Sequence, residues 1–110
     1  MKTKGTRALL RMANSLVQYD KDMPLTRLPV FLNIALKDGI IVRELMENTG
    51  LAQSTISRTL GFLADKPVRG TKEGLNWIEM HPDPVDPRRV TLHLTAKGKE
   101  IIAQLGTASF

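Results

Sequence analysis

The segment His81-Pro-Asp-Pro-Val-Asp-Pro87 limits this fold more than any other stretch of the chain. Its three prolines remove three backbone donors, so neither a helix nor a regular ladder is expected to run through it. The flanks lean towards strand. Leu75 to Met80 contains Trp77 and Ile78, and Arg89 to Leu94 alternates strictly, with Val90, Leu92 and Leu94 on one face. Two strands around a seven-residue tip predict one long hairpin over 75–94.

Everything before that hairpin reads as helix. Leu9, Met12, Leu16 and Tyr19 recur at three-and-four spacing and predict a basic N-terminal helix within residues 1–22. Met23-Pro24 breaks it. A second helix is expected over 25–37, with Leu28, Phe31, Leu32, Ala35 and Leu36 buried and Pro29 in its first turn. Asp38-Gly39 ends that helix. A short third helix fits 41–48, with Val42 and Leu45 inward beside Met46, and Thr49-Gly50 stops it. A fourth follows almost at once, from Gln53 to Asp65, with an apolar stripe of Ile56, Leu60 and Leu63 widened by Phe62. Residues 67–74 read as a loop. After the hairpin, Thr95 is placed to cap a last helix ending near Leu105. The whole is expected to be a single domain, residues 1–110, with its helical core over 24–66.

The chain has no cysteine, which excludes a disulfide framework, a Cys-based zinc site and a thiol nucleophile. No apolar run approaches a membrane span, and the polar N-terminal segment does not read as a signal peptide, so a soluble cytoplasmic domain without membrane contact is expected. The net charge of +5 is unevenly spread. Residues 1–37 carry seven cations against two carboxylates, residues 38–66 come to −1 and residues 67–110 to +1. A basic first helix either lies along phosphates or presents an ordinary solvated face.

Two helices, a short helix, a tight turn, an amphipathic helix and a hairpin follow one another in the order of a winged helix-turn-helix. The fold is therefore expected to be mainly α with a small β-hairpin wing. That order suits double-stranded DNA, because the helix after the turn fits a major groove about 12 Å wide. On that helix Gln53 can pair with adenine, and Arg58 can take guanine or a phosphate. Ser54, Thr55 and Ser57 can bond bases or phosphates. The tip would carry Arg88 and Arg89 to an adjacent minor groove or backbone. Standing alone, each piece also fits a solvated surface; the conjunction is more specific than its parts.

The stretch Leu51-Ala-Gln-Ser-Thr-Ile-Ser-Arg-Thr-Leu-Gly-Phe-Leu63 resembles the recognition-helix segment of the multiple-antibiotic-resistance regulator (MarR) family. Asp86-Pro-Arg-Arg-Val-Thr-Leu-His-Leu-Thr-Ala-Lys-Gly98 resembles that family's wing and the helix start after it. The resemblance spans residues 24–105 and implies a dimeric, sequence-specific DNA-binding transcription regulator, usually a repressor. By position it implies groove contacts at Gln53, Ser54, Thr55, Ser57 and Arg58, wing contacts at Arg88 and Arg89, and an orienting role for Asp86 towards a wing arginine. The sequence departs from the family pattern in three places. Ala52 stands where a capping Ser or Asp is expected, residues 67–73 read as an insertion, and the long C-terminal helices that build the family's dimer do not follow before Phe110. A homodimer is still expected, through Leu9, Met12, Leu16, Tyr19, Ile101, Ile102, Leu105 and Phe110; the competing reading is that these residues complete a monomer's core.

Catalysis is not expected. His81 and His93 lack sequence-adjacent partners for a triad or metal set, and Asp83 and Asp86 read as solvated tip residues. No phosphate-cradling glycine motif occurs, and neither cofactor nor metal is implied. Two other roles stay open at this stage: a phage or plasmid replication or DNA-architecture protein, and a winged helix used for protein interaction. An effector ligand, if any, is not legible.

Overall fold

The computed structural model describes residues 3–64 and 74–106. Residues 67–73 of the expected 67–74 loop, and Phe110, lie outside them. The first helix, α1 (Thr3–Tyr19), stops ahead of Met23-Pro24 and buries Ala8 and Leu16. The second, α2 (Arg27–Leu36), accepts Pro29 in its first turn, where a missing N–H costs no hydrogen bond.

The buried face of α2 differs from the expected one. Arg27, Val30, Phe31 and Ile34 are buried, Leu28, Leu32 and Ala35 are half-buried, and Leu36 is 87% exposed. The helix is apolar nearly all round, so its spacing accommodates two stripes and tertiary partners decide between them. Phe31 packs on Trp77 with ring centroids 5.0 Å apart. Arg27 turns inward to pair with Asp20, and its guanidinium lies 4.6 Å from the centre of the Phe62 ring.

The third helix, α3 (Val42–Thr49), starts after Ile41, whose N–H donates to the Glu44 carboxylate at 3.2 Å. Isoleucine has no side-chain acceptor, so only one half of a capping box exists there. Lys37 also donates to Glu44; that bond first, and the Ile41 N–H second, hold the carboxyl below its ordinary range. Gly50, at φ +73°, closes α3 in the left-handed conformation that favours glycine, and the chain turns directly into α4 (Gln53–Leu63). The Thr49 hydroxyl serves this turn twice, donating to the Leu45 carbonyl at 2.6 Å and accepting from the Leu51 N–H at 3.2 Å. Ile56, Leu60 and Leu63 form the buried stripe of α4 as their spacing requires.

The chain then returns against the end of α4. The N–H groups of Leu75, Asn76 and Trp77 donate to the carbonyls of Phe62, Ala64 and Leu63 at 2.9, 3.3 and 2.8 Å. Strands β1 (Ile78–Pro82) and β2 (Val90–Leu94) pair antiparallel, with Ile78 opposite Leu94 and Pro82 opposite Val90. The first strand is therefore displaced from the expected 75–80 and reaches two residues into the proline segment. Pro82 fits because it ends an edge strand, and the Asp83 N–H resumes pairing beyond it, donating to the Arg89 carbonyl at 2.9 Å. At the other edge of the hairpin, the Gly39 N–H donates to the Leu92 carbonyl at 2.8 Å and the Leu92 N–H to the Ile40 carbonyl at 2.9 Å.

Helix α5 (Ala96–Gly106) starts at Thr95, whose hydroxyl accepts from the Gly98 N–H at 3.0 Å and donates to the Asn76 carbonyl at 2.6 Å. Gly98 sits so close to β1 that a β-carbon there would lie 2.0 Å from the Trp77 carbonyl oxygen. Among the described residues, five helices and one two-stranded antiparallel hairpin make up this mainly α winged helix-turn-helix.

One apolar cluster unites Phe31, Ile34, Ile40, Leu45, Ile56 and Trp77 with Leu16, Ile101 and Leu105. The last three belong to the set named for a dimer interface. They are 8%, 1% and 4% exposed within this chain's own core, where α1 and α5 pack on each other, as the competing reading of these residues has it. Met12 and Ile102 are half-buried, whereas Leu9 and Tyr19 are exposed, the Tyr19 ring standing edge-on to Trp77 at 6.2 Å.

Candidate nucleic-acid interface

The residues of α4 that point away from its buried stripe divide between two flanks. Gln53 and Ser57, one turn apart, face the wing. Together with Arg43 of α3 and Arg88 and Arg89 of the wing, they line a cleft of about 320 Å³ whose apolar floor includes Val42 and Val90. Thr55 and Arg58 occupy the opposite flank, beside Thr26, Arg27 and Phe62, in a hollow of about 220 Å³. Ser54 is exposed and lines neither. Thus Gln53, Ser57, Arg88 and Arg89 come together, and Thr55 and Arg58 stand apart from them.

The start of α4 is electrostatically open. Ala52 occupies the cap position with extended backbone and supplies no side-chain acceptor, and no acidic residue lies in the first turn. The first N–H groups of the helix therefore keep their partial positive charge for whatever approaches from outside.

The wing tip is more ordered than a solvated loop. Arg88 lies against Asp86, with Nε donating to Oδ1 at 3.1 Å, and the Arg88 backbone N–H donates to that same oxygen at 3.1 Å. These two contacts, the side chain's first, hold the Asp86 carboxyl below its usual range. Arg88 itself remains 90% exposed at the side chain. Arg89 has a different partner. Its Nε donates to Asp83 Oδ2 at 2.6 Å, while Asp83 Oδ1 accepts from the Val85 N–H at 2.9 Å. The Val85 bond and then the arginine depress the Asp83 carboxyl, and Asp83 raises the arginine in return. The reading of Asp83 as a solvated tip residue is thereby corrected, since the residue is 8% exposed.

Arg43 and Asp83 are the two residues of this region that the sequence reading missed. Helical spacing put Val42 and Leu45 inward, and from it Arg43 was recognisable as outward; nothing in the sequence indicated that its flank meets the wing. Nor did the sequence single out Asp83 from Asp86. His93 likewise has a partner that adjacency hides: its Nδ1 lies 2.8 Å from Asp38, and its Nε2 2.7 Å from the Thr91 hydroxyl. Among the described residues no group of three or more His, Asp or Glu is placed to hold a metal ion, and no helix is long and apolar enough to cross a membrane.

No protein-family profile and no curated protein matches the chain. Solved structures do. The crystal structure of MarR superposes with a TM-score of 0.67 at 25% identity, over 96% of this chain and 67% of that one. The chain has a MarR-like fold. A MarR transcriptional regulator from Methanosarcina mazei Go1 superposes on 96% of the MarR-like chain and 68% of its own length, with a TM-score of 0.69 at 17% identity. The S. aureus MepR–DNA complex gives 0.73 at 17% identity, covering 94% of the MarR-like chain and 77% of MepR. The MarR-like chain thus spans about two thirds of the length of the first of these structures.

Proposed function

We propose that this protein is a sequence-specific, double-stranded-DNA-binding transcription regulator that acts as a repressor. Helix α4 enters the major groove and the wing lies against the adjacent minor groove or backbone. One observation carries this reading: the cleft between α4 and the wing is lined by Arg43, Arg88 and Arg89 beside Gln53 and Ser57, and no carboxylate lines it. Such a surface pairs hydrogen-bonding groups for base edges with cations for phosphates. The fold shared with MepR, whose structure is a DNA complex, supports the same reading.

The two flanks of α4 assign roles. Gln53 and Ser57 are the base-reading candidates nearest the wing. Thr55 and Arg58, beside the start of α2, are placed for the neighbouring phosphate strand or a base edge. Selection of bound duplexes from a random pool, followed by a footprint, tests the whole. An enriched inverted repeat is expected, with half-sites about one helical turn apart. Binding of no duplex at low salt would instead indicate a protein-interaction module.

Within that framework Gln53→Ala should cost about 1–3 kcal/mol at the selected site and relax preference at one base position. Arg43→Ala should weaken selected and random duplexes alike and reduce the log–log salt slope by about 0.9. Equal losses on both duplexes for Gln53→Ala would remove α4 from the base-reading role.

A further inference from the structure

The wing tip contains a carboxylate that a DNA-binding surface should avoid on charge grounds, and it is the most buried side chain of the tip. Asp83 is 8% exposed. Its Oδ1 accepts from the Val85 N–H, its Oδ2 from Arg89 Nε, and its own N–H donates to the Arg89 carbonyl. The Arg89 N–H in turn donates to the Asp86 carbonyl at 3.1 Å. Asp83 thus closes the tip upon itself and fixes one side of the Arg89 guanidinium. Arg89 remains about half exposed and lines the cleft shared with Gln53 and Ser57. Arg88, by contrast, meets its partner Asp86 at the outer surface with its side chain 90% exposed.

We infer that Asp83 is a positioning residue for nucleic-acid binding, holding Arg89 in the cleft so that its remaining nitrogens face the duplex. The inference rests on the reading of the cleft as a DNA surface. It separates the two wing arginines: Arg88 is an outer charge paired at the surface, and Arg89 is a preorganised contact that spends less rotamer freedom on docking. Neighbouring charges agree with this, since Glu44 and Asp86 also act on Arg89 from α3 and from the tip.

Asp83→Asn separates positioning from simple electrostatics. Removing a negative charge beside a polyanion should by Coulomb attraction alone tighten binding. A positioning role requires the opposite, a loss of about tenfold on the selected duplex together with a shallower salt slope, because the Arg89 contact is no longer made. Arg89→Lys keeps the charge but not the planar guanidinium, and should lose about as much. The double variant should lose no more than either single one, as expected of residues that act as a unit. Parent-like or tighter binding by Asp83→Asn, or near-parent binding by Arg89→Lys, overturns the inference. Should Asp83→Asn not fold, Arg89→Lys decides by itself, since it alters a half-exposed side chain. Failure of the parent protein to bind any duplex would reject the DNA reading instead, and the two failures are thereby distinguishable.

Discussion

At the scale of single residues, the molecule is most exacting where backbone meets backbone. Gly98 lets the first turn of α5 lie against the Trp77 carbonyl, and any β-carbon would sit inside van der Waals contact of that oxygen. The neighbour is main chain, itself engaged by the Thr95 N–H at 3.0 Å, so it has little room to yield. Gly98→Ala should therefore destabilise the fold by about 1–3 kcal/mol despite alanine's better helix propensity. Chemical denaturation followed by Trp77 fluorescence measures this directly, because Trp77 is the chain's only tryptophan and is 1% exposed. An unchanged or raised midpoint would show that the strand can back away from the helix. Gly98 was legible as the end of the wing-like stretch from Asp86, but its physical reason, a carbonyl from a segment 21 positions earlier, was not.

At the scale of elements, legibility followed the contrast between faces. The stripe of α4 could be read because its other positions are polar, and the alternation of β2 because Thr91 and His93 separate its apolar residues. In α2 no such contrast exists; Leu28, Phe31, Leu32, Ala35 and Leu36 made one acceptable stripe, and Phe31 with Arg27, Val30 and Ile34 made another that a charged residue disguised. Asp20 and Phe62, seven and thirty-five positions away, settled the matter by taking Arg27 inward. The proposed DNA surface was named only in part from the sequence, since Arg43 and Asp83 acquire meaning only when the wing folds across α3. The uncapped start of α4 yields an element-scale prediction. Ala52→Ser should stabilise the fold by about 0.5–2 kcal/mol through a new bond to an orphan N–H. Ala52→Asp should stabilise comparably yet, on the proposed DNA reading, weaken duplex binding, since its charge offsets the positive end of the helix. Melting and binding measured on the same two variants check it, and tighter binding by Ala52→Asp would place that helix start away from the DNA.

At the scale of the whole molecule, the proposed two-fold reading of DNA needs a second copy of the chain. With Leu16, Ile101 and Leu105 buried in the core, Leu9 at 53% is the most exposed of the described interface candidates, and Leu10 beside it on α1 is 59% exposed. The proposed homodimer should therefore sediment as a dimer at tens of micromolar, and Leu9→Glu should shift it to monomer with little change in melting temperature, because the side chain contributes little to the core. A monomer in the parent protein, free and on DNA, would end the proposal. The wing raises a separate mechanical point. Its root is gripped on both sides, by Ile40 along β2 and by the end of α4 through Leu75, Asn76 and Trp77. The hairpin is in effect a cantilever, anchored at Leu92 and free beyond Val90. Bending compliance then grows towards the tip, and the pitch between wing and α4 is fixed by the anchorage. That pitch is set by main-chain hydrogen bonds at the root, whatever side chains the tip carries.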